Sequence, residues 1–278
     1  MIDPFKITEP TCISFSGGRT SAYMLYRVLE SNNGLPDDAI VCFANTGKEC
    51  EETLEFVQAC SDNWNVPINW IEYTEHEIPK KRFKVVDFES ASRNGEPFFM
   101  SINQNGKPYL PNPVARICTI NMKIRVIHHF LCSMCWEHNE DQDWIGIRAD
   151  ELRRASKISR DRTPLVAAGI TKEDIGKFWK NNSFDLQLPN LNGTTYHGNC
   201  DLCFLKSSNI IFSLIREKPE RADWWIEMEN YVNSKSGVIN GGGRFRNDRP
   251  TYEQMKKFAI TQVDMFGDDI SLPCYCGD

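Results

Sequence analysis

The stretch CISFSGGRTSAYMLYRVL, residues 12–29, decides how the rest of the chain is read. Cys12-Ile13-Ser14-Phe15 reads as a short buried strand, and Ala22, Leu25, Tyr26 and Leu29 then recur at helical spacing. Between them stand Ser16, Gly17, Gly18, Arg19, Thr20 and Ser21. Two glycines at a strand-to-helix junction allow a tight turn and a close approach of backbone to another group. A helix start offers unpaired N–H groups and the positive end of its dipole, here with hydroxyls on either side. That combination suits an anion, most often a phosphate. Taken alone, a Gly-Gly turn with a Ser or Thr cap accounts for the same residues.

Working outward, Ala39–Ala44 is a second buried strand, Glu51–Trp64 carries Leu54, Val57 and Trp64 as a helix would, and Ile68–Tyr73 is a third strand. Strands separated by helical runs predict βαβ units and an α/β fold with a doubly wound, mostly parallel sheet. Residues 79–116 are charged, then rich in Gly, Asn and Pro, and read as a long excursion beside the site. A helix follows with Ile120, Ile124, Ile127 and Leu131 on one face, then a strand at Trp144–Ile147. Thr171 with Asp174 predicts a capping box opening a helix that holds Ile175, Phe178 and Trp179. The chain is helical again from Asn209 to about Val232, and Gly237–Gly243 reads as a hinge. The expected division is a nucleotide-binding α/β domain over 1–215 and, over 216–278, a helical extension with a flexible tail bearing Cys274 and Cys276.

With 41% hydrophobic and 25% charged residues, the 278-residue chain has the composition of a soluble globular protein. Its apolar stretches are too short for a membrane span, and no basic-then-apolar leader opens it. A net charge of −6 argues against a general nucleic-acid coat and leaves room for a local basic groove. Eleven cysteines, an odd number, point to reduced thiols in a cytoplasm, available for metal, cluster or redox chemistry.

The loop is not a Walker A motif, because Gly47-Lys48 is followed by Glu49. SGG followed by hydroxyls after the first strand resembles the PP-loop of the adenine-nucleotide α-hydrolase superfamily. Phe43-Ala44-Asn45-Thr46-Gly47 with Glu52-Thr53, Ile145-Gly146-Ile147-Arg148 with Arg153 and Arg154, and Pro164-Leu165 before the capped helix narrow the likeness. Together they resemble the phosphoadenosine phosphosulfate (PAPS) reductase family and its phage and bacterial relatives, over roughly residues 11–206. The resemblance implies an adenine nucleotide (ATP, adenylyl sulfate or PAPS) held by Ser16, Gly17, Gly18, Arg19, Thr20, Ser21, Asn45, Thr46, Gly47, Gly146 and Arg148. The charge pattern agrees: Arg148, Arg153, Arg154, Lys157, Arg160 and Arg162 face Asp150, Glu151 and Asp161. Residues just past strand ends line the crevice of such a sheet, and guanidinium groups suit phosphate or sulfate oxygens. From Lys157 onward, a solvated mixed-charge face explains the residues equally well.

Cys200-Asp-Leu-Cys203 is a CxxC, a metal, cluster or redox motif in a reducing compartment. With Cys118 upstream it is similar to the ligand set of cluster-bearing sulfonucleotide reductases, which pair a Cys-Cys dyad with a distant CxxC around a [4Fe–4S] cluster. Ile117 stands where one dyad cysteine would be, leaving Cys118, Cys200 and Cys203 as matched ligands. Cys50, Cys274 or Cys276 is available as a fourth, and three thiolates with His197 would instead satisfy zinc. Cys132 and Cys135 read as structural, and Cys12, Cys42 and Cys60 as core.

The resemblance further implies that a thiolate near the C-terminus, Cys276 in Cys276-Gly277, attacks the sulfur of the adenylated substrate while Arg148 holds its oxygens. A thioredoxin-like reductant then releases sulfite. ATP-dependent thiolation of a nucleic acid is the alternative, weakened because many ATP pyrophosphatases carry an aspartate where Thr20 stands. A non-enzymatic reading also remains: a nucleotide-binding accessory protein with a structural zinc site. Nucleic acid is a less favoured partner, suggested by Lys80-Lys81-Arg82-Phe83 and Arg244-Phe245-Arg246.

Overall fold

The computed structural model describes residues 3–136, 142–191, 194–235 and 243–265. It divides into two compact units, Met1–Lys107 with Ala115–Asp201, and Pro108–Val114 with Leu202–Asp278.

The first unit is built on strands β1 (Thr11–Phe15), β2 (Ala39–Asn45), β3 (Ile68–Glu72), β4 (Lys84–Val86) and β5 (Asp143–Ile145). They form a five-stranded sheet in the order β4-β3-β2-β1-β5, parallel except for β4, which runs antiparallel at the edge. Side chains alternate across it, as the two-residue period of a strand requires. Ile13, Phe15, Val41 and Phe43 enter one core with Met24 and Leu25 of α1 (Arg19–Asn32), Leu54 and Val57 of α2 (Glu51–Trp64), and Trp179. Cys12, Ile40, Cys42 and Ala44 enter a second core with Val126, Ile127, Phe130 and Leu131 on the opposite face. Helices thus cover both faces of a mostly parallel sheet, the arrangement of a doubly wound α/β fold. Cys12, Cys42 and Cys60 are fully buried, as expected of core thiols, and burial pushes the Cys60 thiol far above its ordinary value.

The segment 79–116 contains more regular structure than its composition suggests. It holds the edge strand β4 and helix α3 (Glu96–Ile102), whose Phe98 is buried. The following helical stretch also departs from the expected face. A π-helical turn, Ile120–Ile124, separates the single turn α4 (Ile117–Thr119) from α5 (Arg125–Ser133). Its extra residue rotates the side chains before it relative to those after it. Ile127 and Leu131 are buried as expected, whereas Ile120 and Ile124 are exposed and Met122 and Val126 are buried in their place.

After β5 come the short helices α6 (Leu152–Ala155) and α7 (Pro164–Ala167), then α8 (Lys172–Asn181). The capping box opening α8 is present: Asp174 Oδ2 accepts from Thr171 N at 2.9 Å and from Thr171 Oγ1 at 2.7 Å. The second unit contains α9 (Ser208–Glu217), α10 (Asp223–Ser234) and α11 (Tyr252–Met265). Trp225 stacks on Tyr252 with ring centroids 5.2 Å apart, and buried Glu229 accepts from Tyr252 N at 3.0 Å, satisfying a donor in the first turn of α11. Burial raises the Glu229 carboxyl above its usual range despite those donors.

Candidate functional site

In a doubly wound sheet the ligand crevice lies past the carboxyl ends of the strands, where the strand order reverses. Here β1 lies between β2 and β5, paired in parallel with both, and Ser14 is in register with Ile145. The loops after β1 and β5 therefore leave the sheet side by side. A cavity of about 310 Å³ opens there, lined by Ser16, Gly17, Gly18, Arg19 and Thr20 after β1 and by Gly146 and Arg148 after β5. Thr53 of α2, Lys172 and Ile175 of α8, and the loop residues Thr195, Gly198 and Asn199 complete much of the wall.

The β1–α1 turn is shaped by close packing. Gly17 has φ +72°, and a Cβ there would stand 2.7 Å from Thr53 Cγ2, so both its conformation and its space exclude a side chain. Ser21 turns its hydroxyl back into the loop, accepting from Ser16 N at 3.1 Å and donating to Gly18 O at 2.9 Å. Gly18 is the N-cap of α1, with no side-chain cap and no acidic residue in the first turn. Ala22 N bonds Gly18 O at 3.0 Å, so the N–H groups of Arg19, Thr20 and Ser21 precede the helical ladder. Thr53 is buried, yet its hydroxyl has no hydrogen-bond partner among the described residues. A buried donor of that kind is costly to leave unmet.

The charge of the wall is mostly positive. Arg19, Arg148, Arg154 and Lys172 line it, against the single carboxylate of Glu151. Arg148 is held at the cavity wall: Nε and Nη2 donate to Asp150 Oδ1 and Oδ2 at 3.0 and 3.5 Å, Nη1 to Thr20 Oγ1 at 3.3 Å, and its backbone N to Glu151 Oε2 at 3.1 Å. Burial pushes Asp150 up, but Arg148 outweighs it and holds the carboxyl below its usual range. Arg19 is differently employed. Its guanidinium donates to Asp185 at 2.6 and 2.8 Å, to Thr195 Oγ1 at 2.9 Å, and to the carbonyls of Leu186 and Leu188. It clamps the loop that walls the cavity and contributes its backbone N–H to the turn. Arg162 donates to the carbonyl of Asp143 at 3.1 Å and so supports β5.

Asn45, Thr46 and Gly47 lie outside the cavity lining, in a buried network. Asn45 Nδ2 donates to Glu72 at 2.7 Å and Ser92 O at 2.9 Å, and its Oδ1 accepts from Gly47 N at 3.1 Å. Thr46 donates from N and Oγ1 to Glu49 Oε2 at 2.9 and 2.7 Å. This loop positions the first cysteine of the CxxC. Glu49 bridges Cys200 in antiparallel fashion, Asp201 N donates to Lys48 O at 2.7 Å, and Cys200 Sγ lies 3.3 Å from Thr46 Oγ1. Cys200 thus follows the cavity-lining Gly198 and Asn199 directly.

Cys118 and Cys200 belong to the first unit and Cys203 to the second. Among the described residues, no group of three His, Cys, Asp or Glu side chains is placed to hold a metal ion. Cys132 and Cys135, expected to be structural, are exposed: Cys132 lies within α5 but outside its buried set of Val126, Ile127, Phe130 and Leu131, and Cys135 follows the helix; Cys132 Sγ lies 3.5 Å from His128 Nε2. Phe245 is fully buried in the second unit and stacks on Phe204 at 5.8 Å, so Arg244-Phe245-Arg246 presents no free aromatic ring to a nucleic acid. Cys274 and Cys276 lie outside the described residues, as do Gly241 and Gly242. Among the described residues, no helix is long and apolar enough to cross a membrane.

The residues that sequence reasoning missed are Thr53, Lys172 and the 194–199 loop. Thr53 is quoted only as part of the Glu52-Thr53 pair, and Lys172 follows the cap, yet neither position signals the cavity by itself. No protein-family model matches the chain. The chain is similar to an uncharacterized nin region protein, ORF290, of Escherichia phage lambda. The two are 31% identical over 204 residues, covering 72% of this chain and 67% of the relative.

Proposed function

We propose that this chain, which belongs to the family of the phage lambda nin region protein ORF290, binds an adenine nucleotide in the cavity between β1 and β5 and acts on its phosphoryl or sulfuryl end. The observation that carries this reading is the convergence of the uncapped α1 turn and Arg148 on one cavity at the switch point of the sheet. The first-turn N–H groups and the Arg148 fork supply donors for a tetrahedral oxyanion, and Lys172 and Arg154 add positive charge.

The chemistry we favour is PAPS reductase-like reduction or transfer of sulfur by a cysteine thiol. The position of Cys200 one residue beyond the cavity wall supports a thiol-based reaction. Thr20 at the place of an acidic residue supports it as well, since its hydroxyl accepts from Arg148 and offers no carboxylate to a magnesium ion. In the reductase form of the reaction, a thiolate attacks the sulfur of adenylyl sulfate or PAPS and the adenosine phosphate leaves. The enzyme S-sulfocysteine is then cleaved by a dithiol of the thioredoxin kind, giving sulfite and a disulfide on the reductant.

The test is to incubate the full chain, purified without air, with ATP, adenylyl sulfate or PAPS and a thioredoxin system. Sulfite release from a sulfonucleotide is the expected result. Consumption of ATP alone would replace this reading with ATP-dependent thiolation, and no binding of any of the three would overturn it.

A further inference from the structure

The end of α5 breaks a local rule of the backbone. Trp136 N donates to Leu131 O at 3.1 Å and Cys135 N to Cys132 O at 3.2 Å, the pair of bonds that closes a helix through a left-handed residue. That residue is Cys135, with φ +57°. Glycine is its usual occupant and asparagine the next, because a Cβ is crowded in this conformation. The other described non-glycine residues of positive φ, Asn33, Asn65 and Asn199, follow that preference. Cys135 does not, and it is exposed, so burial of its side chain does not offset the strain.

The surroundings of this turn suit thiol chemistry. The bond from Cys135 N to Cys132 O closes a four-residue turn, which holds the two Cα atoms less than about 7 Å apart. Disulfides form between Cα atoms about 4.4–6.8 Å apart, a range this turn makes accessible. Cys132 is exposed as well. One helical turn before it, on the same face of α5, His128 Nε2 lies 3.5 Å from Cys132 Sγ. The imidazole is therefore placed to take the thiol proton. Trp136, at the end of the turn, packs against the core that holds Leu131 and anchors the position. None of these residues lines the nucleotide cavity.

We propose that Cys132 and Cys135 are a thiol–disulfide exchange pair, separate from the nucleotide site, whose co-reactant is a low-molecular-weight disulfide of the glutathione kind. His128 takes the proton of Cys132, and the thiolate attacks one sulfur of that disulfide, forming a mixed disulfide as the other sulfur leaves. Cys135 then displaces the second sulfur. Each leaving sulfur departs as a thiol carrying one cysteine proton. The two cysteines lose two electrons and become a disulfide, and the co-reactant gains them as two thiols. The exposed turn gives a small disulfide direct access to Cys132.

The experiment equilibrates the full chain, purified without air, in buffers of varied ratio of reduced to oxidised glutathione. Free thiols are then blocked and each cysteine is read by peptide mass spectrometry. The expected result is a Cys132–Cys135 disulfide that rises with the oxidised fraction in one two-electron transition. Cys135→Ser should instead trap glutathione on Cys132. Cys135→Gly should abolish the disulfide and raise the unfolding midpoint, since glycine fits the left-handed position. His128→Gln should slow exchange by about tenfold and leave the midpoint of oxidation unchanged, a split that general structural damage would not produce. A pair that stays reduced throughout, or cysteines that take up glutathione singly without joining, would overturn the proposal. So would a His128→Gln variant that exchanges at the parental rate, or a Cys135→Gly variant less stable than the parent. The readout is confined to the peptides bearing these two cysteines, so a failed nucleotide assay leaves it standing, and the reverse also holds.

Discussion

Gly146 lies directly against Ser21: a Cβ placed on the glycine would stand 2.9 Å from the serine Cα and 3.2 Å from its backbone N. The end of β5 and the first turn of α1 therefore touch through backbone, and that contact holds Arg148 beside the uncapped helix start. Gly18 differs, since a Cβ there would meet only Ser16 Oγ at 3.8 Å. Gly146→Ala must move α1, with a cost of about 1–3 kcal/mol and a tenfold or greater loss of nucleotide affinity. Gly18→Ala should cost less than about 1 kcal/mol. Chemical denaturation and calorimetric titration of both variants check the contrast, and equal behaviour would remove the backbone contact as the cause.

Arg148 and Arg19 are both near the loop, but they separate on different measurements. Arg148→Ala removes a charged donor aimed at the cavity and should weaken adenine-nucleotide binding by about 1.5–3 kcal/mol, with little change in stability. Arg148→Lys keeps the charge and loses the planar fork, so it should recover only part of that binding. Thermal unfolding beside calorimetry reads both quantities.

Arg19→Gln should do the opposite. It leaves Asp185 and the carbonyls of Leu186 and Leu188 without their shared cation, in a clamp where the Arg19 side chain is only 10% exposed. Breaking such a pair from one side costs about 3–5 kcal/mol when burial is complete, and less here because the Asp185 side chain is 34% exposed. The expected outcome is a lowered unfolding midpoint, with affinity falling only as the 194–199 wall loosens. A variant of parental stability with abolished binding would assign the guanidinium to the ligand instead.

These two arginines show where the sequence was legible. The β1–α1 unit, the parallel strands and the Thr171-Asp174 cap are local patterns, and each appears where its spacing places it. The partner of Arg19 stands 166 positions downstream, beyond the reach of any local pattern. The same limit applies to Phe245, which two flanking arginines make look accessible and which long-range aromatic packing buries. In the 117–133 helix the error came from backbone geometry. A regular α-helix aligns Ile120 and Ile124 with Ile127, and one π-helical turn breaks that alignment without a signature in composition.

The cap of α8 gives the first unit a defined acid response. The Thr171 hydroxyl, then its backbone N–H, lowers the Asp174 carboxyl below its ordinary value. For an acid lowered in the folded state, the stabilisation is present above the unfolded pKa, about 3.9 for aspartate, and is lost as pH falls through the folded value. Asp174→Ala should cost about 1 kcal/mol at neutral pH, and the difference from the parent should shrink as pH drops below about 4. Unfolding curves of both proteins from neutral pH to pH 3 measure it; a gap that stays constant with pH would dissociate the cap from the carboxylate.

The thiols carry the remaining prediction. Cys200 is buried beside Thr46 and next to the cavity wall, whereas Cys132 and Cys135 are exposed. If sulfur chemistry uses the cavity, Cys200→Ser should impair sulfite release while the double change at Cys132 and Cys135 leaves it intact. Metal analysis of protein purified without air resolves whether Cys118, Cys200 and Cys203 act together. Iron with acid-labile sulfide, lost on Ser substitution at any of the three, would assign those three thiolates to a cluster. Stoichiometric zinc without iron would favour the accessory-protein reading, and neither metal would leave the thiols to act alone. In that last case the attacking sulfur is sought by mass spectrometry after incubation with adenylyl sulfate or PAPS. A sulfo adduct on the segment 273–278 assigns Cys276 or Cys274 as the nucleophile. Unchanged turnover after removal of those six residues would exclude both and turn the search to Cys200, which directly follows the cavity-lining Asn199.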